Sequence, residues 1–211
     1  MVNEYYPYRN IPLPYAYDAL EPYIDAKTMQ IHHNNHLGTY INNLNAALHD
    51  HPQLHTLSLE ELVTFADRLP RSLRDPIKNN AGGVYNHRLY FESLTPQHGD
   101  RPDGVLLTAI NGHFGSFEQF VKIMTDEGLA VFGSGYVWLV CNRSGGLQIL
   151  STANQDTPLP QGFVPILNMD VWEHAYYLKH YNKRAGYIAD WFQTINWKIA
   201  EERYQQCRNS K

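Results

Sequence analysis

The side chains best suited to chemistry lie near the C-terminal end of the chain. Asp170 and His174 are four residues apart, in the run Asp170-Val171-Trp172-Glu173-His174. On a helix, this spacing places a carboxylate and an imidazole on one face, one turn apart, where both can bind a single metal ion. A single Asp–His pair at this spacing is more often a solvated pair on the protein surface than a metal site. The interpretation therefore depends on other metal-binding side chains.

Two further segments place histidines in distinctive settings. His32 lies in the run 28–40, and His87 ends the run 79–87, which contains two adjacent glycines. His36 follows His32 by four residues, so a helix would present this second pair on one face as well. Three imidazoles and one carboxylate, with no cysteine beside them, favour manganese, iron or zinc. Four protein ligands on manganese or iron leave room for solvent and a transient substrate.

Composition makes several classes of protein unlikely matches for this chain. The 211 residues are 43% hydrophobic, which suffices for the core of one large or two small domains. The formal net charge of −4 is unfavourable for nucleic-acid binding. No apolar stretch approaches the roughly 18 residues that a membrane span needs. The N-terminal residues lack the pattern of a secretory leader, and we therefore expect a cytoplasmic protein.

The two cysteines are too few for a disulfide framework. Cys141 lies in an apolar run, and we expect it to be a small buried hydrophobic residue. Cys207 lies near the C-terminus, and we expect a free thiol there.

Hydrophobic periodicity predicts an α+β fold in two parts. A stretch containing two prolines and two glycines, 95–104, separates an N-terminal α-helical hairpin domain, residues 1–95, from a C-terminal α/β domain, residues 96–211. The second domain contains a small three-stranded antiparallel sheet.

The elements of these domains follow from apolar spacing and capping signals. The predicted helices cover roughly 26–49, a short segment after Ser58, 69 or 76 to 94, 105–126, 172–183 and 187–203. The predicted strands cover 136–142, 147–151 and 163–170, with a hairpin signal at 142–146. Asp25 is a predicted N-cap, and Ser58 with Glu61 has the form of a capping box.

Taken together, these motifs resemble the iron/manganese superoxide dismutase family over nearly the whole chain. The matching segments are Leu13–Pro22, His32–Tyr40, Asn79–His87, Phe132–Gly135, Ser151–Asp156 and the D-x-W-E-H motif at 170–174. The resemblance implies a superoxide dismutase in which one manganese or iron ion lies between the two domains. Redox cycling of that ion would convert two superoxide anions to O₂ and H₂O₂.

The resemblance also implies a role for each site residue. The implied metal ligands are His32, His87, Asp170 and His174, whereas His36 would line the substrate channel. The implied catalytic residues around the metal are Tyr40, His36 and Gln155, and Trp172 would shield the site from water. The implied homodimer contacts are Glu173, which would bridge to His174 of a second subunit, and Tyr177, which would meet the partner's channel histidine. Two dimers can also pair into a tetramer. Arg184 keeps a cationic position of the family.

The position of the glutamine indicates the metal. Manganese-type relatives tend to supply it from the later loop, with glycine at the matching earlier position. This chain has Gly83 in the earlier position and Gln155 in the later one. Manganese is therefore the predicted cofactor, with iron, or the use of either metal, as the alternative.

Three residues depart from the family pattern. Phe91 and Tyr136 stand where many relatives have tryptophan, which would change water access and product inhibition. Asn35 stands where many relatives have lysine at the channel mouth. Because superoxide is an anion, we expect weaker electrostatic steering than in a relative with that lysine.

Two other functions compete with dismutation. A catalytically weak family member would act as a metal store or interaction protein, but storage needs no proton path through Tyr40, His36 and Gln155. A non-haem iron oxygenase typically uses two histidines and one carboxylate, so the third histidine of this chain disfavours that reading.

Overall fold

The computed structural model describes residues 3–209 and has the predicted α+β architecture. Residues 1–2 and 210–211, the outer ends of the two predicted domains, lie outside the described residues. The helices of the N-terminal half are α1 (Ala26–Ile31), α2 (Gly38–Leu48), α3 (Leu59–Phe65) and α4 (Arg71–Glu92). Those of the C-terminal half are α5 (Gly104–Phe114), α6 (Phe117–Ala130), α7 (Tyr177–His180), α8 (Arg184–Phe192) and α9 (Trp197–Asn209).

The first predicted helix is one continuous helical run that changes its winding. A π-helical segment, His32–Leu37, joins α1 to α2. The Asp25 side chain accepts a hydrogen bond from the Thr28 amide, so the predicted N-cap is confirmed. Short π segments inside α-helices are frequent at functional sites. In this run, the π segment contains both His32 and His36.

Helices α2 and α4 pack against each other as the hairpin of the N-terminal half. The buried face of α2 carries Ile41, Leu44 and Leu48, at the three- and four-residue spacing of an amphipathic helix. Before α3, the predicted capping box is confirmed. The Ser58 hydroxyl accepts from the Glu61 amide, and the Glu61 carboxylate accepts from the Ser58 amide.

A three-stranded antiparallel sheet lies in the C-terminal half, as predicted. Its strands β1 (Gly135–Cys141), β2 (Leu147–Ala153) and β3 (Val164–Asp170) have the order β2–β1–β3. The central strand β1 is buried along its whole length, and Tyr136 pairs with Asp170 at one end of the sheet. The hairpin at 142–146 joins β1 to β2.

The predicted helix over 172–183 is wrong. Asp170 is the last residue of β3, and the chain then forms a 3₁₀ turn, Glu173–Ala175, followed by the four-residue helix α7. Trp172 has an extended backbone, and its amide donates to Asp170 Oδ1 at 2.8 Å. The carboxylate and His174 therefore approach each other across a strand end and a turn, and not along one helix face.

Two longer predicted helices are each divided. Gly115, with a φ of 89°, ends α5, and the Ser116 hydroxyl caps α6 by accepting from the Gln119 amide. A positive φ of this kind favours glycine and stops a helix. The predicted helix over 187–203 is also divided, because a short connection at 193–196 separates α8 from α9.

The free thiol expected at Cys207 is wrong, whereas the expected burial of Cys141 is confirmed. Cys141, at the end of β1, forms a disulfide with Cys207 on α9 across a sequence separation of 66 residues. Both cysteines are buried. Because their sulfurs are bonded to each other, Cys207 is not a free thiol, and Cys141 is more than a packing residue. The bond fixes the C-terminal helix covalently to the central strand.

Helix α4 lies unusually close to the loop after β2, because Gly82 lacks a side chain. A Cβ atom at position 82 would lie well inside 3.0 Å of the Gln155 carbonyl oxygen. The Asn86 side chain, one turn later, donates to that same oxygen at 3.3 Å. Close approach of two backbones is a physical reason for a glycine inside a helix, where it is otherwise unfavourable.

We expect Gly82→Ala to destabilise the protein by about 1–3 kcal/mol, since α4 and the 154–156 loop must move apart. Gly112→Ala is the matched control. Gly112 also lies in a helix, but a Cβ there meets nothing within 4 Å. That change should stabilise the protein by about 0.5–1 kcal/mol. Urea unfolding of both metal-free variants measures the difference, and equal stability of the two would contradict the close-approach argument.

Candidate metal centre

Four predicted ligand residues come together between the two halves of the chain. His32 opens the π segment, His87 lies on α4, Asp170 ends β3, and His174 lies in the 3₁₀ turn. One nitrogen or oxygen atom from each lies within 4.8 Å of the others. His32, His87 and Asp170 are at most 1% exposed, and the side chain of His174 is 13% exposed. Residues distant in sequence thus form one compact, water-poor cluster.

The Asp170 carboxylate is the negative centre of this cluster. Its Oδ2 atom lies 3.3 Å from His32 Nε2 and 3.2 Å from His174 Nε2. Burial by itself raises the pKa of Asp170, but the imidazoles of His174 and His32 outweigh that effect and hold the pKa well below its usual range. Asp170 is therefore an anion at neutral pH.

The two fully buried imidazoles of the cluster, those of His32 and His87, are neutral. Burial lowers the pKa of His32 to about 4 and lowers the pKa of His87 well below its ordinary value. His87 Nδ1 lies 2.6 Å from the Gly83 carbonyl oxygen. Because a carbonyl only accepts, Nδ1 carries the proton and Nε2 carries the lone pair. A neutral imidazole with a fixed tautomer is the form that binds metal ions.

Several polar atoms of the cluster have no hydrogen-bond partner among the described residues. They are both ring nitrogens of His32 and Nε2 of His87. Buried polar groups are nearly always satisfied, so such atoms indicate a missing bound group. Three imidazoles and one carboxylate, with no thiolate, fit a manganese or iron ion. The side chains present therefore fit the metal that the resemblance implies.

A chain of polar side chains extends from the cluster. Gln155, only 5% exposed, donates from Nε2 to the Tyr40 hydroxyl at 3.1 Å. Asn86 Nδ2 donates to Gln155 Oε1 at 3.0 Å. The Tyr40 ring packs beside the His87 ring, with centroids 5.2 Å apart. Burial is the main reason that the pKa of Tyr40 is raised, so its phenol stays protonated at neutral pH.

Gly83 makes the position of Tyr40 possible. A Cβ atom at residue 83 would lie inside 3.0 Å of three Tyr40 ring carbons. The two adjacent glycines of α4 therefore admit two different neighbours. Gly82 admits the Gln155 backbone, and Gly83 admits the Tyr40 ring.

The other predicted site residues surround the cluster. The rings of His36 and Trp172 stack on the His174 ring, at centroid distances of 4.3 Å and 5.3 Å. Trp172 Nε1 donates to the Asn154 carbonyl at 3.0 Å, which orients the indole. Glu173 and Tyr177 are exposed at the same edge. The structure thus brings His36 and Trp172 into contact with the cluster, whereas Glu173 and Tyr177 are exposed to solvent.

Arg184 has a structural task that the sequence did not reveal. Its guanidinium donates to the carbonyls of Gly128, Val131 and Gly133 at 2.6–3.2 Å, at and just beyond the C-terminal end of α6. Its Nε donates to the Tyr176 hydroxyl at 3.2 Å. Cations at the carbonyl end of a helix are stabilising.

Sequence reasoning missed two buried polar residues beside the cluster, Asn86 and Asn168, and it did not foresee the full burial of the Tyr136 hydroxyl. Asn86 holds Gln155, and Asn168 Nδ2 donates to the Asn86 carbonyl at 2.9 Å. Tyr136, opposite Asp170 in the sheet, has a fully buried hydroxyl. Burial and the nearby Asp170 carboxylate raise the pKa of Tyr136 well above its ordinary value. The available signal was the strand period of two, which places Asn168 on the same face as Asp170.

Comparison with known proteins agrees with this geometry. Residues 7–95 match the family described as iron/manganese superoxide dismutases, alpha-hairpin domain, and residues 102–203 match the C-terminal domain of the same family. The chain is 50% identical over 196 residues to a protein of Pseudomonas aeruginosa named superoxide dismutase [Mn], covering 93% of this chain and 96% of the relative.

Two further relatives carry the same kind of name. A superoxide dismutase [Mn] of Thermus thermophilus is 46% identical over 202 residues, which cover 96% of this chain and 99% of the relative. Superoxide dismutase [Mn] 3 of Leptolyngbya boryana is 48% identical over 194 residues, covering 92% and 81%. With both family domains matched in order and the buried His–His–Asp–His cluster in place, the chain belongs to the iron/manganese superoxide dismutase family.

Proposed function

We propose that the chain is a superoxide dismutase that converts two superoxide anions to O₂ and H₂O₂. The observation that carries the proposal is the buried cluster of His32, His87, Asp170 and His174, whose unpaired nitrogens fit one manganese ion. When bound, the metal supplies one-electron redox chemistry in both directions. The relatives' names and the donor set both support manganese as the cofactor.

The chain's own residues would manage protons and water. Gln155 donates to Tyr40 Oη, so the phenol proton of Tyr40 is free to point into the channel. Peroxide formation consumes two protons, and a phenol beside the cluster can hold one of them. His36, half-buried over His174, would continue the path toward solvent. Trp172 covers one side of the cluster and excludes water there.

Reconstitution tests the function and the metal together. Protein stripped of metal and reloaded with manganese should dismutate superoxide, whereas iron-loaded protein should be much less active. Comparable activity with both metals would establish an enzyme that uses either. Full loading without activity in either form would reject dismutation and favour the role of a metal store.

We also propose a homodimer whose interface completes the site. Tyr177, Leu178 and Tyr181 are 49–64% exposed, and Phe132 is fully exposed. Large exposed apolar groups of this kind mark interaction surfaces. In this arrangement Glu173 bridges to His174 of the second subunit, and Tyr177 meets the second subunit's channel. Pairing of two such dimers into a tetramer stays a prediction.

We expect Glu173→Ala to loosen the dimer and the metal together, because the bridging carboxylate would be lost from both sites. Glu202→Ala is the control, since it removes an exposed carboxylate from α9. Sedimentation measures the dimer, and elemental analysis measures the metal content. If Glu173→Ala keeps both the dimer mass and full manganese loading, the bridging role is wrong.

Asn35 is exposed in the π segment, at the predicted channel mouth. We expect Asn35→Lys to raise the dismutation rate at low ionic strength, because the added cation attracts superoxide, and to lose that advantage in salt. Asn43→Lys adds the same charge to an exposed position further along the helical run. Pulse radiolysis at two salt concentrations compares the variants, and an equal gain from both would argue against local steering.

Two broader predictions complete the proposal. The first is the division into domains 1–95 and 96–211. The second is a cytoplasmic location. Among the described residues, no helix is both long and apolar enough to cross a membrane. The Cys141–Cys207 disulfide is unusual for the proposed location, because disulfides are rare in a reducing cytoplasm.

A further inference from the structure

Helix α9 is attached to the rest of the protein at two points on one face. Cys207 is joined by its disulfide to Cys141, the last residue of the central strand β1. Arg203 precedes Cys207 by four residues, so the two side chains lie one turn apart. Whatever fixes Cys207 therefore also restricts where Arg203 can lie.

Arg203 binds two of the three elements that carry buried predicted metal ligands. Its Nη1 donates to Ser93 Oγ at 2.7 Å, just after the end of α4, and to the Ile166 carbonyl of β3 at 3.1 Å. Its Nη2 donates to Glu92 Oε2 at 3.0 Å. Helix α4 also carries His87, and β3 ends at Asp170. One guanidinium thus links the two elements that hold these ligands.

The Arg203 contacts are of a kind that persists only while α9 stays in place. The side chain is 14% exposed and bonds a carboxylate, a hydroxyl and a backbone carbonyl. Such fixed guanidinium contacts depend on the position of the backbone that carries them.

We propose that Arg203 is a positioning residue for the metal site, and that the Cys141–Cys207 disulfide controls how firmly it acts. With the disulfide closed, α9 holds α4 against β3, and His87 and Asp170 keep their spacing. With the disulfide open, α9 moves more freely and the metal escapes sooner. This inference rests on the proposed metal site.

The activity itself produces an oxidant for this switch. Two thiols and one H₂O₂ give one disulfide and two waters, so each sulfur loses one electron and both thiol protons leave in water. A surface cleft of about 310 Å³, lined in part by Arg203, Phe163 and Cys207, gives small molecules a route toward the sulfur. In a reducing cytoplasm, the pair would close as peroxide accumulates, which is when retention of the metal matters most.

Metal release, and not activity, is the decisive measurement. Manganese-loaded protein is prepared with the disulfide intact and, separately, reduced by a trialkylphosphine and water, which supplies the oxygen of the phosphine oxide and the two thiol protons as the S–S bond breaks. Each sample is placed in excess chelator, and retained manganese is measured by elemental analysis. We expect release to be about threefold or more faster after reduction. Mass spectrometry of labelled thiols verifies the redox state.

Variants separate the two parts of the proposal. The double variant Cys141→Ala/Cys207→Ala should release manganese at the fast rate, with or without phosphine. Arg203→Met should also release it fast in both redox states, because the disulfide would no longer act through the guanidinium. Arg208→Met, on the same helix but exposed, should keep the redox dependence of the natural protein.

Equal release from oxidised and fully reduced natural protein would overturn the inference while leaving the metal site intact. Free thiols in protein purified in air would overturn it as well. Redox-dependent release that survives Arg203→Met would reject Arg203 as the linking residue. Failure of either form to bind manganese at all would instead reject the metal site, and with it the inference.

Discussion

The burial of one carboxylate among three imidazoles is the constraint on which the structure depends. Asp170 is fully buried at the end of β3, where an ion without compensation is strongly unfavourable. The imidazoles of His174 and His32 stabilise it, yet buried ring nitrogens in the cluster remain without partners. A cation satisfies the carboxylate and one nitrogen of each imidazole at once. Metal binding and folding of this region are therefore coupled, since the site is assembled from both halves of the chain.

The surrounding structure keeps water away from this charge while leaving one polar route open. Gly82 and Gly83 allow a backbone and an aromatic ring to approach α4 more closely than any side chain would permit. The result is a closed contact between Tyr40 and Gln155 at the edge of the cluster. The contacts that exclude solvent also hold Tyr40 and Gln155 at the edge of the cluster, which is where we propose that protons enter.

Residue types and their order along the chain predicted the chemistry, but local spacing was a poor guide to geometry. The family motifs predicted four ligand residues that the structure brings together, and caps at Asp25 and Ser58 followed from short-range rules. The four-residue interval between Asp170 and His174 imitates a helix period, although a strand end and a turn produce the approach. The Cys141–Cys207 bond and the contacts of Arg203 were not predictable, because they join segments far apart in sequence that only the tertiary fold brings together.

The packing around residue 83 gives a physical basis for the manganese assignment. A glutamine supplied from the earlier helix would begin with a Cβ atom at position 83, and that atom would overlap the Tyr40 ring. The amide beside the cluster must therefore come from elsewhere, and the loop after β2 supplies it as Gln155. Asn86 fixes this amide through two hydrogen bonds, to its side chain and to its backbone carbonyl. With Tyr40 packed on Gly83, the amide beside the cluster is Gln155, in the position that the family resemblance associates with manganese.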